Sequence, residues 1–380
     1  MLDRLRFPVA RSRGRRYPEP PHSYRNPFQR DRDRVVHSRA FRRLEAKTQV
    51  FTPGLSDHFR NRLTHTIEVS QIARTVANAL QLDEDLTEAL ALVHDIGHPP
   101  FAHAGEEELN RQMARFGERF DHNLHALRIV ESFEQKYARF PGLNLTFEVR
   151  EGMVKHSRDF APGEIPELDA YLPGWRPPLE AQLIDLADEV AYNTADLDDA
   201  FSAEMYTVEE IAECIPQYAA ILESIQMQFP AASHREHFHE SLRQLIDVLV
   251  SGLIEGTVRK ARDAGTENCE DIRAFPQRLA AFTPEAFETS RELKRFLHAK
   301  VYSAPALTDG RSGSIAMVHE LFQFFLNHPE RLPQPYREQT TAQPAYRVVC
   351  DYIAGMTDVF LRRTYQQHVL EEDPSSLPVP

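Results

Sequence analysis

Cysteine is scarce in this chain. Only Cys214, Cys269 and Cys350 occur among 380 residues, an odd number, widely spaced and without a CxxC pair. Neither a disulfide framework nor a cysteine zinc site is indicated by that spacing. Long apolar runs are lacking as well: none approaches the roughly 18 residues that span a bilayer. The N-terminus, MLDRLRFPVARSRGRR, is positively charged but has no apolar stretch behind it to serve as the core of a secretory signal. Secretion and membrane insertion are therefore not expected, and the cytoplasm is the expected compartment. Alternating strand patterns are rare, and no internal repeat or low-complexity tract is found. What remains, hydrophobic 42% and charged 27%, is the composition of a soluble globular protein. The length admits two or three domains or one large helical domain.

The net charge of -13 conceals an asymmetry. Residues 1–50 hold 14 Lys+Arg, 13 of them Arg, against 5 Asp+Glu, a balance of +9 that leaves -22 for residues 51–380. Guanidinium groups match phosphate oxygens bidentately, so an Arg-rich arm suits nucleotides, single-stranded nucleic acid or an acidic face of a neighbouring subunit. The competing expectation is that the arm pairs with the acidic body of its own chain.

Apolar periodicity without Gly or Pro predicts a helix over 63–82, with Leu63, Ile67, Ile72, Val76 and Leu80 near helical spacing. A second helix over 84–96 stops at Gly97, His98, Pro99 and Pro100. Further helices are expected at 104–116, 121–139, 145–156, 180–200, 207–228, 235–264, 284–302, 311–327 and 344–368. The stretch 158–178 is rich in Pro and Gly and reads as an irregular excursion between two helices. A second Pro-containing break is expected over 332–344. The architecture is therefore all-α. The expected organisation is an Arg-rich arm and first helix (1–50), a catalytic core (51–200), a C-terminal helical region packed on that core (201–370) and a frayed tail (371–380).

The chemistry concentrates in a few inward-facing polar residues. His94 and Asp95 are adjacent where an apolar helix ends, so a turning backbone can aim both into one cavity. His65 precedes Val69 by four residues and Ile72 by seven, which puts it on the inward face of its helix. Asp188 lies four from Ile184 and three from Ala191, and so points inward too. A buried carboxylate without a partner is costly. Two imidazoles and two carboxylates from three helices would meet that cost by binding a divalent cation. Directly after the HD dipeptide come His98, His103 and Glu106. His103 and Glu106 are three apart at a helix start, the spacing at which a carboxylate orients an imidazole for general acid–base work. His122 adds a further polar group, with His125 a rival for the same role. Asp188, Tyr192 and Asp196 repeat at i, i+4 and i+8, giving one helix face a carboxylate, an aromatic plate and a second carboxylate.

RLTHTIEV, HDIGHPPFAHAGE, LADEVAYNTADLDDA and VCDYIAGMTD together resemble the deoxyguanosinetriphosphate triphosphohydrolase family of the HD superfamily, in its shorter bacterial, dGTPase-like branch. The resemblance covers about residues 30–200 and 345–365. It implies a multi-helix, metal-dependent phosphohydrolase fold with His65, His94, Asp95 and Asp188 as ligands of a divalent cation. Mg, Mn, Fe, Co and Ni all suit such ligands. It further implies His103 with Glu106 as the catalytic pair, and His98 and His122 at the triphosphate. Tyr192 would stand against the deoxyribose, Asp196 and Gln49 at the 3′ hydroxyl, and Arg62 at the phosphates. The implied reaction cleaves a dNTP between the 5′ oxygen and the α-phosphorus, with His103 acting either on the attacking water or on the leaving oxygen. A homo-oligomer, tetramer or hexamer, and a dNTP activator at a second site are implied as partners. Two other readings use the same scaffold: an HD phosphohydrolase acting on another nucleotide, and a nucleotide- or single-stranded-DNA-binding regulatory protein that uses the Arg-rich arm. CDYIAGMTD itself reads as a helix interrupted at Gly355.

Overall fold

A computed structural model describes residues 2–50 and 59–370; the expected frayed tail, 371–380, lies outside the described residues. The helices are, in chain order, α1 Pro27–Val36, α2 Arg39–Arg43, α3 Arg62–Leu80, α4 Glu84–Val93, α5 Ala102–Ala114, α6 His122–Arg128, α7 Phe147–Val154, α8 Leu179–Ser202, α9 Val208–Cys214, α10 Pro216–Gln228, α11 His234–Asp263, α12 Cys269–Ala274, α13 Pro284–Leu297, α14 Pro305–Asn327, α15 Gln334–Gln339, α16 Ala345–Ala354 and α17 Asp358–Tyr365. Among the described residues extended pairing is limited to two isolated bridges, Arg15 with Thr146 and Thr48 with Asn61. The fold is all-α. No helix of the described residues is long and apolar enough to cross a membrane.

Several expected helices are divided in the structure. The stretch 207–228 is two helices, because Pro216 has no N–H to continue α9 and instead starts α10 as its first residue. The stretch 344–368 breaks at Gly355, and Thr357 caps the restart by accepting from Phe360 N. The helix expected to reach residue 139 ends at Arg128 and adds one wide turn over Ile129–Phe133. Conversely, α14 runs through Gly310 and Gly313 and begins earlier than expected. Three short helices, α2, α12 and α15, are not among those expected. Within α3, Ile67 is 53% exposed, so the inward face is carried by Val69, Ile72, Ala73, Val76 and Leu80.

The chain divides into two compact units that interleave in sequence. Among the described residues the first comprises 2–36, 65–93 and 144–304, the second 37–50, 59–64, 94–143 and 305–370. In the first unit, α8 packs against α4, α11 and α13. Its core includes Val76 and Leu80 of α3, Leu179 and Leu183 of α8, and Leu253 of α11. Each such side chain, fully buried, contributes about 1.5–3 kcal/mol. In the second unit, α14 packs on α5, α16 and α17 around Leu109, Met113, Phe322, Phe325, Val349 and Ile353.

Much of the Arg-rich arm is neutralised inside the first unit. Arg15 pairs with Asp31, Arg34 with Glu19, Arg25 with Asp33, Arg6 with Asp83 and Arg32 with Glu88. Self-pairing was one of the two expectations for this segment, although several of the counter-ions lie in the arm rather than in the body.

Glu180, at the start of α8, accepts from Phe7 N at 2.8 Å and from Asp83 N at 3.1 Å. Burial is the main cause that pushes its carboxyl up to about 7, and the Asp83 charge adds to it. The folded state therefore binds this proton more tightly than the unfolded chain. Its contribution to stability is complete below the ordinary carboxyl range and is lost as pH rises toward 7 and above. We expect Glu180→Gln to remove about 3 kcal/mol of that decline. Urea midpoints of parent and variant compared at pH 4.5 and 8 test this; parallel pH profiles would refute it.

Candidate active site

In the first unit, three helices bring the polar residues together. His65 is buried on the inward face of α3, and its Nε2 stands 2.8 Å from Oδ1 of Asp188 on α8. His156 follows α7, is buried, and places Nδ1 2.7 Å from Asp185 Oδ1 and Nε2 3.9 Å from Asp188 Oδ2. His156 escaped the sequence analysis. The available signal was an imidazole in MVKHSRD, at the end of a short predicted helix. One and two turns on from Asp188 come Tyr192 and Asp196. Asp196 is buried rather than on a solvated face, and accepts a hydrogen bond from the Tyr302 hydroxyl at 2.5 Å. Tyr192 is partly buried with the Lys294 ammonium 5.9 Å from its ring centroid. Burial, followed by the Glu189, Asp188 and Asp196 charges, drives its phenol well above the ordinary value, so it stays neutral.

In the second unit, the turn after α4 carries the HD dipeptide. His94 and Asp95 are both buried, with His94 Nε2 3.5 Å from Asp95 Oδ1. Arg62 is no surface residue: it is buried and its Nη1 donates to Asp95 Oδ2 at 2.7 Å. His98 Nδ1 lies 3.0 Å from Asp95 Oδ1. Burial opposes the Asp95 charge, but His98, His94 and Arg62 outweigh it and hold the carboxyl well below its ordinary range. Burial, reinforced by Arg62, holds His98 well below the ordinary imidazole value.

His98 stacks on His122, ring centroids 3.9 Å apart. His122 opens α6, whose N-cap Asp121 accepts from Asn123 N and Leu124 N. Its Nδ1 donates to Glu106 Oε1 at 2.7 Å, and its backbone N to the same oxygen at 3.0 Å. His103 Nδ1 is 3.8 Å from Glu106 Oε2, and its side chain is 78% exposed. Glu106 therefore bridges two histidines, with His122 the nearer partner and His103 turned outward. Burial alone would raise this carboxyl; the His103 and His122 imidazoles, with His98 behind them, hold it well below the ordinary value. His98, His103 and Glu106 each offer an atom within 4.8 Å of the others. The rival His125 faces elsewhere: it is buried with Nδ1 3.4 Å from Asp351.

Lys47 is a further residue that sequence reasoning missed. Its buried ammonium donates to the carbonyl oxygens of His98 and Ala354 and so ties down the loop that carries the histidines. Burial, with Arg43 and Arg62 adding to it, lowers it to about 7. It is the only lysine in the first 50 residues, the one clue available. Two places beyond it, Gln49 has a buried Oε1 with no hydrogen-bond partner among the described residues.

An imidazole with a carboxylate is a donor pair that suits a divalent cation of the Mg to Ni range. His65 with Asp188, and His94 with Asp95, each bring a nitrogen and an oxygen donor within a few ångströms of one another. Both pairs fit what such an ion requires.

These features define an HD-domain phosphohydrolase. The HD domain model matches residues 62–193, and the phosphohydrolase-associated domain model matches residues 280–367. The chain is 42% identical over 362 residues to a deoxyguanosinetriphosphate triphosphohydrolase-like protein of Bordetella pertussis, covering 94% of each chain. It is 43% identical over 379 residues to a protein of the same name from Ruegeria sp., covering 95% of this chain and 97% of the relative. A third, from Geobacter sulfurreducens, is 42% identical over 353 residues, covering 92% and 90%. The chain belongs to the deoxyguanosinetriphosphate triphosphohydrolase-like family.

Gly97 in HDIGH is required by a close approach. A Cβ there would overlap the carbonyl oxygen of His122 and the backbone nitrogen of Ala126. We expect Gly97→Ala to push α6 away from the His98 turn and to cost about 1–3 kcal/mol of stability, read as a lowered urea midpoint. An unchanged midpoint would show that the α6 contact yields at no cost.

Proposed function

We propose that this chain is a metal-dependent dNTP triphosphohydrolase that adds water to the α-phosphorus of a deoxynucleoside triphosphate and releases deoxynucleoside and tripolyphosphate. The observation that supports this reading is the 42% identity, over 94% of both chains, with a deoxyguanosinetriphosphate triphosphohydrolase-like protein. In it, His65, His94, Asp95 and Asp188 hold the cation. When bound, such a cation orients a phosphoryl oxygen and offsets charge that develops there.

The remaining roles belong to side chains. Glu106 stays ionised and accepts from Nδ1–H of His122, so that the ring, when it carries both protons, can donate Nε2–H to a phosphate oxygen. His98, stacked on His122, extends the same surface. His103 is solvent-accessible and within reach of the Glu106 carboxylate, which suits a group that moves a proton at the attacking water or the leaving 5′ oxygen. Arg62, already on Asp95, supplies positive charge toward the phosphates. Tyr192 stands against C2′ of the sugar, where a ribose hydroxyl would clash. Asp196 and Gln49 take the 3′ hydroxyl, and the Oε1 of Gln49, buried without a partner among the described residues, supports that role.

Phosphorus NMR of the metal-loaded protein with the four dNTPs, singly and mixed, tests the reaction. Tripolyphosphate is expected; orthophosphate or pyrophosphate would assign a different phosphohydrolase, and intact dNTPs with every metal would leave a binding protein. His103→Ala is expected to lower kcat by about 100-fold or more with metal content retained by elemental analysis. Loss of metal in that variant would overturn the assignment of His103. Tyr192→Ala is expected to admit NTPs, and a variant that rejects them as firmly as the parent removes the steric gate.

A further inference from the structure

The turn that delivers His103 is strained. Phe101 and Ala102 both have positive φ, 62° and 53°, in the left-handed region that side chains with a Cβ seldom occupy. They are consecutive, neither is glycine, and α5 begins at Ala102 without a side-chain cap on Phe101. Something outside the turn must hold it.

Two residues of α17, one helical turn apart, do so from opposite ends of Phe101. The buried Asp358 carboxylate accepts Phe101 N through Oδ1 at 3.0 Å. Its other oxygen accepts Thr48 N at 2.9 Å and the Thr48 hydroxyl, so Asp358 is itself fixed. Arg362 places its guanidinium carbon 4.9 Å from the Phe101 ring centroid. Phe101 is otherwise buried in the core shared by α5, α14 and α16. All of these residues belong to one compact unit, and α17 lies in the stretch matched by the phosphohydrolase-associated domain model.

We propose that Asp358 and Arg362 are positioning residues: by clamping Phe101 they keep the 101–102 turn left-handed and set where His103 and Glu106 stand. This rests on the reading of that pair as the working acid–base groups. The charge-assisted bond to a buried amide is the stronger hold, and the exposed cation–π contact the weaker. Without the clamp, the turn relaxes toward ordinary φ values and swings the first turn of α5.

The test compares Asp358→Asn, Arg362→Ala and the double variant Asp358→Asn/Ala102→Gly with the full-length metal-loaded parent, by dNTP kinetics and by hydrogen–deuterium exchange of peptides covering 99–109. Asp358→Asn is expected to lower kcat by about tenfold or more, with KM within about twofold of the parent, and to speed exchange at 99–106 while α8 peptides keep parental rates. Arg362→Ala should show the same pattern at about two- to fivefold. Because glycine takes positive φ without strain, Ala102→Gly should recover most of the kcat lost in Asp358→Asn. Unchanged exchange at 99–106 in both single variants would overturn the clamp. So would faster exchange with parental kcat, or a loss of kcat that Ala102→Gly does not relieve. If Asp358→Asn fails to fold, Arg362→Ala decides by the same readouts. If the parent releases no tripolyphosphate, the proposed function falls, and the exchange data still decide whether the turn is clamped.

Discussion

A carboxylate taken out of water has to be surrounded by donors, and Asp95 is the one around which its unit is arranged. Arg62 approaches from the start of α3, His98 from the turn beyond, and His94 from the preceding residue. That requirement makes the chain double back within four residues, and the doubling works only if the backbone of α6 can come against Gly97. The packing of α6 in turn presents His122 to the face of His98. The sharp turn, the glycine and the stacked imidazoles thus descend from one ionised group without solvent.

Glu106 and Glu180 show how surroundings decide what a buried carboxyl becomes. Each accepts at least one backbone N–H. Glu106 sits among His98, His103 and His122, which favour its ionised form, whereas Glu180 has Asp83 beside it and its second oxygen without a partner among the described residues. The first is thereby suited to orient an imidazole, and the second to sense pH through stability. Burial acts on both in the same direction; neighbouring charge separates them.

The parts of the site that obey helical phase were legible in the sequence. His65 and Asp188 point inward because residues three and four away are apolar, and His94 with Asp95 share a cavity because adjacent residues at a helix end diverge little. Contacts across long separations were not legible. Glu106 selects His122, sixteen residues on, over His103, three residues on, because the tight His98 turn sets α6 beside α5. The Tyr302 partner of Asp196 and the Phe101 partner of Asp358 are separated by 106 and 257 residues, with no local pattern to connect them. Helix breaks were legible in principle, since Pro216 and Gly355 stand in plain view. The glycines of α14, by contrast, cost helicity without ending it.

His103 differs from every other residue of the candidate site in being mostly exposed. A buried side chain is held by its neighbours, so backbone errors are corrected by packing. An exposed one has no such correction, and its position is only as good as the backbone beneath it. The chain places that backbone directly after two left-handed residues, the conformation most ready to relax, and then anchors it through a carboxylate and a guanidinium on a helix more than 250 residues away in sequence. In the proposed reaction, substrate access and positional accuracy place opposing demands on one imidazole. An exposed side chain on a clamped turn meets both, because the clamp acts on Phe101 and leaves the ring of His103 open to solvent.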